Sequence, residues 1–140
     1  RAPRLRAQAL VGVLYLVGLM PPNVPEFAVI YHGVLRAGAI VVPMYPLLNG
    51  REVAHYLSDS GANVIFTGAM WADEVRAGAP EGCTIIVIDE TFGPRLAAAT
   101  PVTEVPERAS DDTAVILYTC LLYTSPSPRD RTRSRMPSSD

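Results

Sequence analysis

The chain contains no lysine, and its twelve basic residues other than histidine are all arginines. Any mechanism that needs a lysine amine is therefore excluded within these 140 residues. The two cysteines are too few for the disulfide framework of a small secreted domain. The longest apolar run, Leu10–Met20, has eleven residues, whereas a membrane-spanning helix needs about 18 or more. We expect no transmembrane segment.

Charge is also scarce, and it is unevenly distributed. Charged residues make up 19% of the chain and the net charge is −2, which removes the usual electrostatic basis for binding nucleic acid. Residues 1–118 carry eight arginines and twelve acidic residues, a net charge of −4, whereas residues 119–140 are basic and rich in serine. With an apolar fraction of 49%, the chain as a whole predicts a globular, cytoplasmic domain without a nucleic-acid partner.

The apolar run near the N-terminus allows two interpretations. Its valines, its tyrosine and its length favour a buried β-strand. Arg1, Arg4 and Arg6 in front of it also give the charged start and apolar middle of a signal peptide. No small-residue cleavage pattern follows, so the strand is the preferred interpretation.

Strand and helix patterns alternate through the rest of the chain. Further strands are predicted at Ala39–Pro43, Asn63–Thr67, Thr84–Asp89 and Thr113–Tyr118. Helices are predicted after Asn23 and after Asn49, with a short helix at Met70–Ala79 and a helical turn at Arg95–Ala99. Uninterrupted apolar strands separated by amphipathic helices are typical of a parallel sheet covered on both faces. The predicted fold class is α/β with a doubly wound parallel sheet.

The beginnings of the two clearest helices are marked in the sequence. Asn23 is placed to cap the first helix, with Pro25 and Glu26 in its first turn. Asn49 stands three residues before Glu52, which is the spacing of a capping box. Both patterns predict a helix that starts directly after the asparagine.

Single residues carry little chemistry. His32 and His55 have no partner at metal-ligand spacing and are interpreted as partly exposed structural histidines. Cys83 is interpreted as a small apolar residue rather than a nucleophile, because nothing near it lowers its pKa. Asp111 and Asp112 favour a solvated turn over a catalytic carboxylate pair. With no Walker A, GxGxxG, zinc or Ser-His-Asp pattern, no catalytic residue and no metal ligand is assigned.

Several short pieces occur in a specific order and spacing. They are Pro22–Phe27 (PNVPEF), Gly33–Ala39 (GVLRAGA), Val42–Pro43, Leu57–Ala62 (LSDSGA) and Asp111–Thr119 (DDTAVILYT). Together they resemble the start of the AMP-forming acyl-CoA synthetases, the adenylate-forming family that also includes firefly luciferase and peptide-synthetase adenylation domains. On this resemblance, residues 1–119 are identified as a truncated part of the N-terminal, doubly wound domain of that fold.

The resemblance implies an acid–thiol ligase. In this family ATP and a carboxylic acid, here most like a fatty acid, give an acyl-adenylate, and CoA then displaces AMP, with Mg²⁺ assisting. The last piece leads in the family into a loop rich in Ser, Thr and Gly that ends in Pro-Lys-Gly, whose amides, hydroxyls and lysine hold phosphate. Only Thr119 falls on this ATP loop. We therefore expect the chain by itself to be inactive and to bind none of these cofactors.

Two alternatives stay open at this point. A peptide-synthetase or aryl-acid adenylation domain shares the same early motifs. A non-enzymatic α/β binding module is the third interpretation, and it would be favoured if the natural gene ended near Tyr118.

The final segment departs from the family within the loop. The expected Ser-Gly-Thr-Thr-Gly is replaced by Cys120–Asp130 (CLLYTSPSPRD), which resembles a translation of the transposon adapter used in short-read sequencing libraries. Ser134–Ser139 matches the flow-cell end of the same adapter. Residues 120–140 are therefore interpreted as a disordered, adapter-derived artefact; the alternative is a genuine disordered tail.

Overall fold

A computed structural model describes residues 15–101 and 103–118. The signal-peptide interpretation, the assignment of Thr119 to an ATP loop and the interpretation of residues 120–140 concern positions outside the described residues, wholly or in large part. Within the described ranges, strands and helices alternate as predicted as far as the fourth strand. They are β1 (Leu16–Met20), α1 (Pro25–Arg36), β2 (Ile40–Pro43), α2 (Gly50–Ser60), β3 (Val64–Gly68), a 3₁₀ turn (Ala69–Trp71), α3 (Ala72–Gly78), β4 (Thr84–Ile88) and α4 (Phe92–Ala97).

The four strands form one parallel sheet in the order β2-β1-β3-β4. Val17 of β1 lies opposite Val41 of β2 on one side and Val64 of β3 on the other. β2 pairs with one edge of β1. The chain then crosses over β1, and β3 and β4 are added at the other edge of β1. The point where strand order reverses therefore lies between β1 and β3, which is where open α/β sheets bind their ligands.

Helices cover both faces of the sheet, which confirms the doubly wound α/β prediction. On one face, Val17 and Leu19 of β1 pack in a cluster with Ile30 and Val34 of α1 and with Phe92. On the other face, the cluster joins the sheet to α2 and α3. Its buried members are Met20, Val42, Met44, Val53, Leu57, Ala62, Ile65 and Val75. Side chains alternate between the two clusters because successive residues of a strand point to opposite faces.

The helix starts give one confirmation and one correction. Asn49 accepts a hydrogen bond from the Glu52 amide while the Glu52 carboxylate accepts one from the Asn49 amide, so the predicted capping box is present. The prediction that Asn23 caps α1 is wrong. The capping position is taken by Val24, which has no side-chain oxygen, and Pro25 begins the helix without an amide that needs a partner.

The prediction of a fifth strand at Thr113–Tyr118 is also wrong. Val115 forms a single parallel bridge with Val41, flanked by the hydrogen bonds Val41 N to Ala114 O and Ile116 N to Val41 O. This segment lies beyond β2 at the edge of the described sheet, and these two hydrogen bonds join its backbone to that of β2. Its β-branched residues have the right propensity, but a ladder needs successive paired residues on the neighbouring strand.

In the part of the chain that the structure describes, no helix is both long enough and apolar enough to cross a membrane.

Candidate functional site

A cleft with a volume of about 700 Å³ lies at the carboxyl ends of the strands. Its walls come from the segments that follow β1, β2 and β3, from the end of the segment beside β2, and from one aromatic side chain each of α1 and α2. The lining residues are Pro21, Pro22, Asn23, Phe27, Pro43, Met44, Tyr45, Pro46, Leu47, Tyr56, Trp71, Leu117 and Tyr118. The position, next to the reversal of strand order, and the concave, largely apolar surface are those of a ligand site in an α/β fold.

The cleft is rich in aromatic rings and poor in charge. Its lining contains no carboxylate, histidine or arginine among the described residues, and its polar groups are an asparagine side chain, tyrosine hydroxyls, an indole N–H and backbone. Such a surface can hold an apolar or planar group by contact and stacking. Among the described residues it offers no carboxylate or imidazole for general acid–base catalysis.

Trp71 enters the cleft because of the glycine that ends β3. A Cβ atom on Gly68 would lie 2.8 Å from Trp71 Cζ3 and 3.2 Å from Pro22 Cδ. The absence of a side chain therefore lets the indole ring cover the end of the strand and reach the wall formed after β1. Trp71 thus both packs against the core and lines the cleft.

Tyr118 is fixed in the opposite wall by α2. Its hydroxyl donates a hydrogen bond to Asp59 Oδ2 at 2.5 Å, and its ring lies 4.5 Å, centroid to centroid, from the ring of Tyr56. Burial, together with the hydrogen bond and negative charge of Asp59, raises the pKa of Tyr118 to about 12. Sequence reasoning missed this contact, although both partners lie in the recognised pieces LSDSGA and DDTAVILYT.

The two aspartates before the last segment lie away from the cleft. They border a second cavity of about 520 Å³ near the C-terminal end of α1, where the Arg108 guanidinium donates to the Gly38 carbonyl. Asp112 Oδ2 accepts from the Ala109 amide at 3.0 Å, and the Asp112 amide donates back to the Ala109 carbonyl. Both aspartates are exposed, as expected for a solvated turn.

The remaining candidate residues are spread over the molecule. His32 is exposed on α1, edge-on to Tyr31, and His55 is exposed on α2 with its ring 6.4 Å from that of Tyr118. Cys83 is half-buried, and burial raises the pKa of its thiol, in agreement with an unreactive apolar role. Over residues 15–101 and 103–118, no three His, Cys, Asp or Glu side chains converge as metal ligands would.

Comparison with known proteins gives concordant results. The family described as "AMP-binding enzyme" matches residues 2–120. The long-chain-fatty-acid–CoA ligase FadD13 of Mycobacterium tuberculosis is 35% identical over 108 residues, which are 74% of this chain and 22% of that protein. The long-chain-fatty-acid–CoA ligase of Escherichia coli O157:H7 is 37% identical over 83 residues, 59% of this chain and 15% of that one.

A solved structure gives the same result at the level of the fold. The crystal structure of the N-terminal domain of FACL13 from Mycobacterium tuberculosis superposes with a TM-score of 0.64 at 34% identity, covering 77% of this chain and 29% of that one. The chain thus spans 15–22% of the length of these two curated relatives. The match to the family extends over most of the chain and includes the cleft. This protein therefore belongs to the family of AMP-binding enzymes.

Proposed function

We propose that this chain is part of an ATP-dependent, AMP-forming acyl-CoA synthetase that acts on fatty acids. The observation that carries the proposal is the similarity, at 35% identity over 108 residues, to a protein named as a long-chain-fatty-acid–CoA ligase. The cleft supports it, since it lies where α/β folds bind ligands and is mostly apolar.

The proposed reaction has two steps. A carboxylate oxygen attacks the α-phosphorus of ATP, the bond to the bridging oxygen breaks, and pyrophosphate leaves with the electron pair. The CoA thiol then attacks the acyl carbon, loses its proton, and displaces AMP. In both steps negative charge develops on phosphate oxygens. Cationic side chains or a metal ion nearby are therefore needed to stabilise that charge.

The described residues do not meet that need by themselves. Their cleft carries no carboxylate that would suit Mg²⁺ and no arginine that would suit phosphate, so no step is assigned to the metal here. The chain also has no lysine for the end of the family's phosphate loop. We propose that Thr119 begins that loop, and that residues 15–118 act as its scaffold.

The decisive experiment determines the natural gene sequence beyond residue 118 and assays the complete protein that it encodes. The genomic DNA beyond the Tyr118 codon is sequenced, and we expect it to encode Ser-Gly-Thr-Thr-Gly after Thr119. The complete product is expressed and assayed for pyrophosphate release with fatty acids, aryl acids and amino acids, each with and without CoA. We expect release that depends on fatty acid, and a CoA thioester as product.

Each other outcome contradicts the proposal in a distinct way. Release with amino acids and no thioester indicates a peptide-synthetase adenylation domain, and a preference for aryl acids indicates an aryl-acid ligase. A natural gene that ends near Tyr118 indicates a non-enzymatic binding module. The 140-residue chain, assayed in parallel, is expected to release no pyrophosphate above a blank, and turnover there would refute the predicted inactivity.

A further inference from the structure

The apolar lining of the cleft continues from its buried interior to its exposed rim. Met44 is buried and Trp71 is half-buried, and both also belong to the packing of the core. The side chains of Tyr45, Leu47 and Leu117 also line the cleft but are between 63% and 67% exposed. A ligand that entered from solvent would therefore meet apolar surface along its whole path.

The lack of charge in the cleft selects among the ligands of the proposed reaction. ATP and CoA both carry phosphates, and the described lining offers them no cationic side chain. A carboxylate buried there would also lack a charged partner, at a large cost in free energy. The hydrocarbon chain of a fatty acid needs no polar partner. The volume of about 700 Å³ lies within the range of roughly 300–1,000 Å³ that is usual for small-molecule sites.

Trp71 bounds this cleft on the side of β4. Among the described residues, the lining includes none from β4 or α4, so the segment after β3 is its last contribution on that side. The indole rests on Gly68, where an added Cβ would lie 2.8 Å from Cζ3 and 2.9 Å from Cε3 of the ring. The extent of the cleft towards β4 therefore depends on the bulk of Trp71 and on the missing side chain beneath it.

From this arrangement we infer that the cleft receives the hydrocarbon chain of the fatty acid and that Trp71 limits the length of that chain. This role rests on the proposed function, which supplies the fatty acid as substrate. Trp71 is then a specificity-determining residue, because its ring lies against the tail of the substrate and leaves the reacting carboxylate elsewhere. In an apolar pocket, the fit of a single methylene group changes discrimination between substrates by about tenfold or more.

The test uses the complete protein encoded by the natural gene, assayed with acids from octanoate to palmitate. Trp71→Ala opens the cleft towards β4, so the ratio of kcat/KM for palmitate to that for octanoate is expected to rise about tenfold. Gly68→Ala is expected to lower the same ratio, because the new methyl group displaces the indole into the cleft. The backbone at Gly68 is extended, with φ −71° and ψ 152°, and accepts alanine without strain. The double variant is expected to behave like Trp71→Ala, because the methyl group then meets no indole.

Met70→Ala is the matched control. Met70 precedes Trp71 but is 84% exposed and does not line the cleft, so its loss is expected to leave the ratio unchanged. Thermal unfolding is measured for every variant, and Trp71→Phe, which keeps a smaller ring, is expected to give a smaller rise in the ratio. If Trp71 served only to stabilise the fold, all acids would lose turnover equally. An unchanged ratio in folded Trp71→Phe and Gly68→Ala would overturn the inference, and a raised KM for ATP with an unchanged ratio would indicate an adenine site instead.

A photoreactive substrate gives a second measurement, which does not depend on turnover. A palmitate analogue with a diazirine at its terminal carbon is bound to the complete protein and irradiated, and labelled peptides are identified by mass spectrometry. We expect labels on the peptides that contain Met44 or Trp71. Labels confined to other peptides, in a protein that activates fatty acids, would overturn the inference and leave the proposed function intact. A complete protein that activates no fatty acid would overturn the proposed function, and the inference with it.

Discussion

At the scale of single residues, the largest change in pKa within residues 15–101 and 103–118 is that of a phenol. Tyr118 lies between the ring of Tyr56 and the carboxylate of Asp59, with the Ser60 hydroxyl close by. Burial and the adjacent negative charge both disfavour the phenolate, and this raises the pKa of Tyr118 from 10.0 to about 12. The chemistry of this tyrosine is therefore set by α2, which ends 58 positions before it.

We predict that Tyr118 makes folding stability depend on pH above 10. Because its folded pKa of about 12 exceeds the unfolded value of 10.0, its contribution is fully present below pH 10 and is lost as pH rises towards 12. Ultraviolet difference titration of the chain against Tyr118→Phe reports this phenol alone. Denaturant unfolding at several pH values measures the stability.

Asp59→Asn serves as the control for this titration. Without the carboxylate charge, the pKa of Tyr118 is expected to fall only part of the way towards 10, because burial, the larger cause, and the ring contact with Tyr56 both remain. A folded chain in which Tyr118 already titrates near 10 would contradict the packing described here.

At the scale of elements, α2 and α3 pack closely together at two glycines, Gly50 and Gly78. The Gly50 amide donates to Glu74 Oε2 at 2.6 Å, and Gly78 faces the Gly50 carbonyl and the Ala54 amide. A Cβ on Gly78 would lie 2.9 Å from the Gly50 carbonyl carbon and 3.0 Å from the Ala54 nitrogen. The close approach of these helices therefore requires glycine at this position.

We predict opposite effects for the same substitution in two helices. Gly78→Ala is expected to lower the free energy of unfolding by roughly 2–3 kcal/mol, because backbone atoms that cannot rotate away must move apart. Gly33→Ala, in α1 and exposed with no atom within 4 Å of the new methyl group, is expected to raise it by about 1 kcal/mol. Denaturant unfolding of both variants under one set of conditions compares them. Equal destabilisation by both would show that the helix contact is not as close as described.

At the scale of the whole molecule, burial is uneven across the sheet. Most of β1 is buried, whereas Ile85–Ile88 of β4 are only half-buried. Within the described residues β4 pairs with β3 alone, so its other edge presents unpaired backbone groups beside large apolar side chains. Open, apolar strand edges promote association between chains.

We predict that the 140-residue chain self-associates and has low solubility. Val87→Lys places a charge on the β4 edge at a residue that belongs to neither core cluster, and it is expected to reduce association. Met70→Lys, at a position that is 84% exposed and lies outside the sheet, is the matched control and is expected to leave association unchanged. Sedimentation velocity over a range of concentrations measures both. A monomeric chain with a sharp, cooperative unfolding transition would contradict the prediction.

Much of the architecture follows from local signals. The alternation of apolar strands with amphipathic helices predicts the parallel sheet, and the pair Asn49 and Glu52 predicts the start of α2 correctly. Predictions from local sequence fail where the outcome depends on residues in another part of the chain. Thr113–Tyr118 has strand propensity but meets β2 at one residue only, and Asn23 has the right chemistry for a cap but stands one position too early.

For the cleft too, some features are predicted from the sequence and others depend on the tertiary structure. The short pieces predict the family, and the match over residues 2–120 confirms it. They do not predict that Trp71 and Tyr118 line the same cavity, because these residues come to the same cleft only when β3 and the last segment are placed beside β1 and β2.

The sequence by itself determined the α/β class, the family and the lack of any lysine, because these depend on residue type, order and spacing. The tertiary structure alone decided the strand order, the position of the cleft and the pairing of Asp59 with Tyr118. The physical reason is that these features rest on contacts between residues distant in sequence, whose formation is driven by burial of the two core clusters on opposite faces of the sheet.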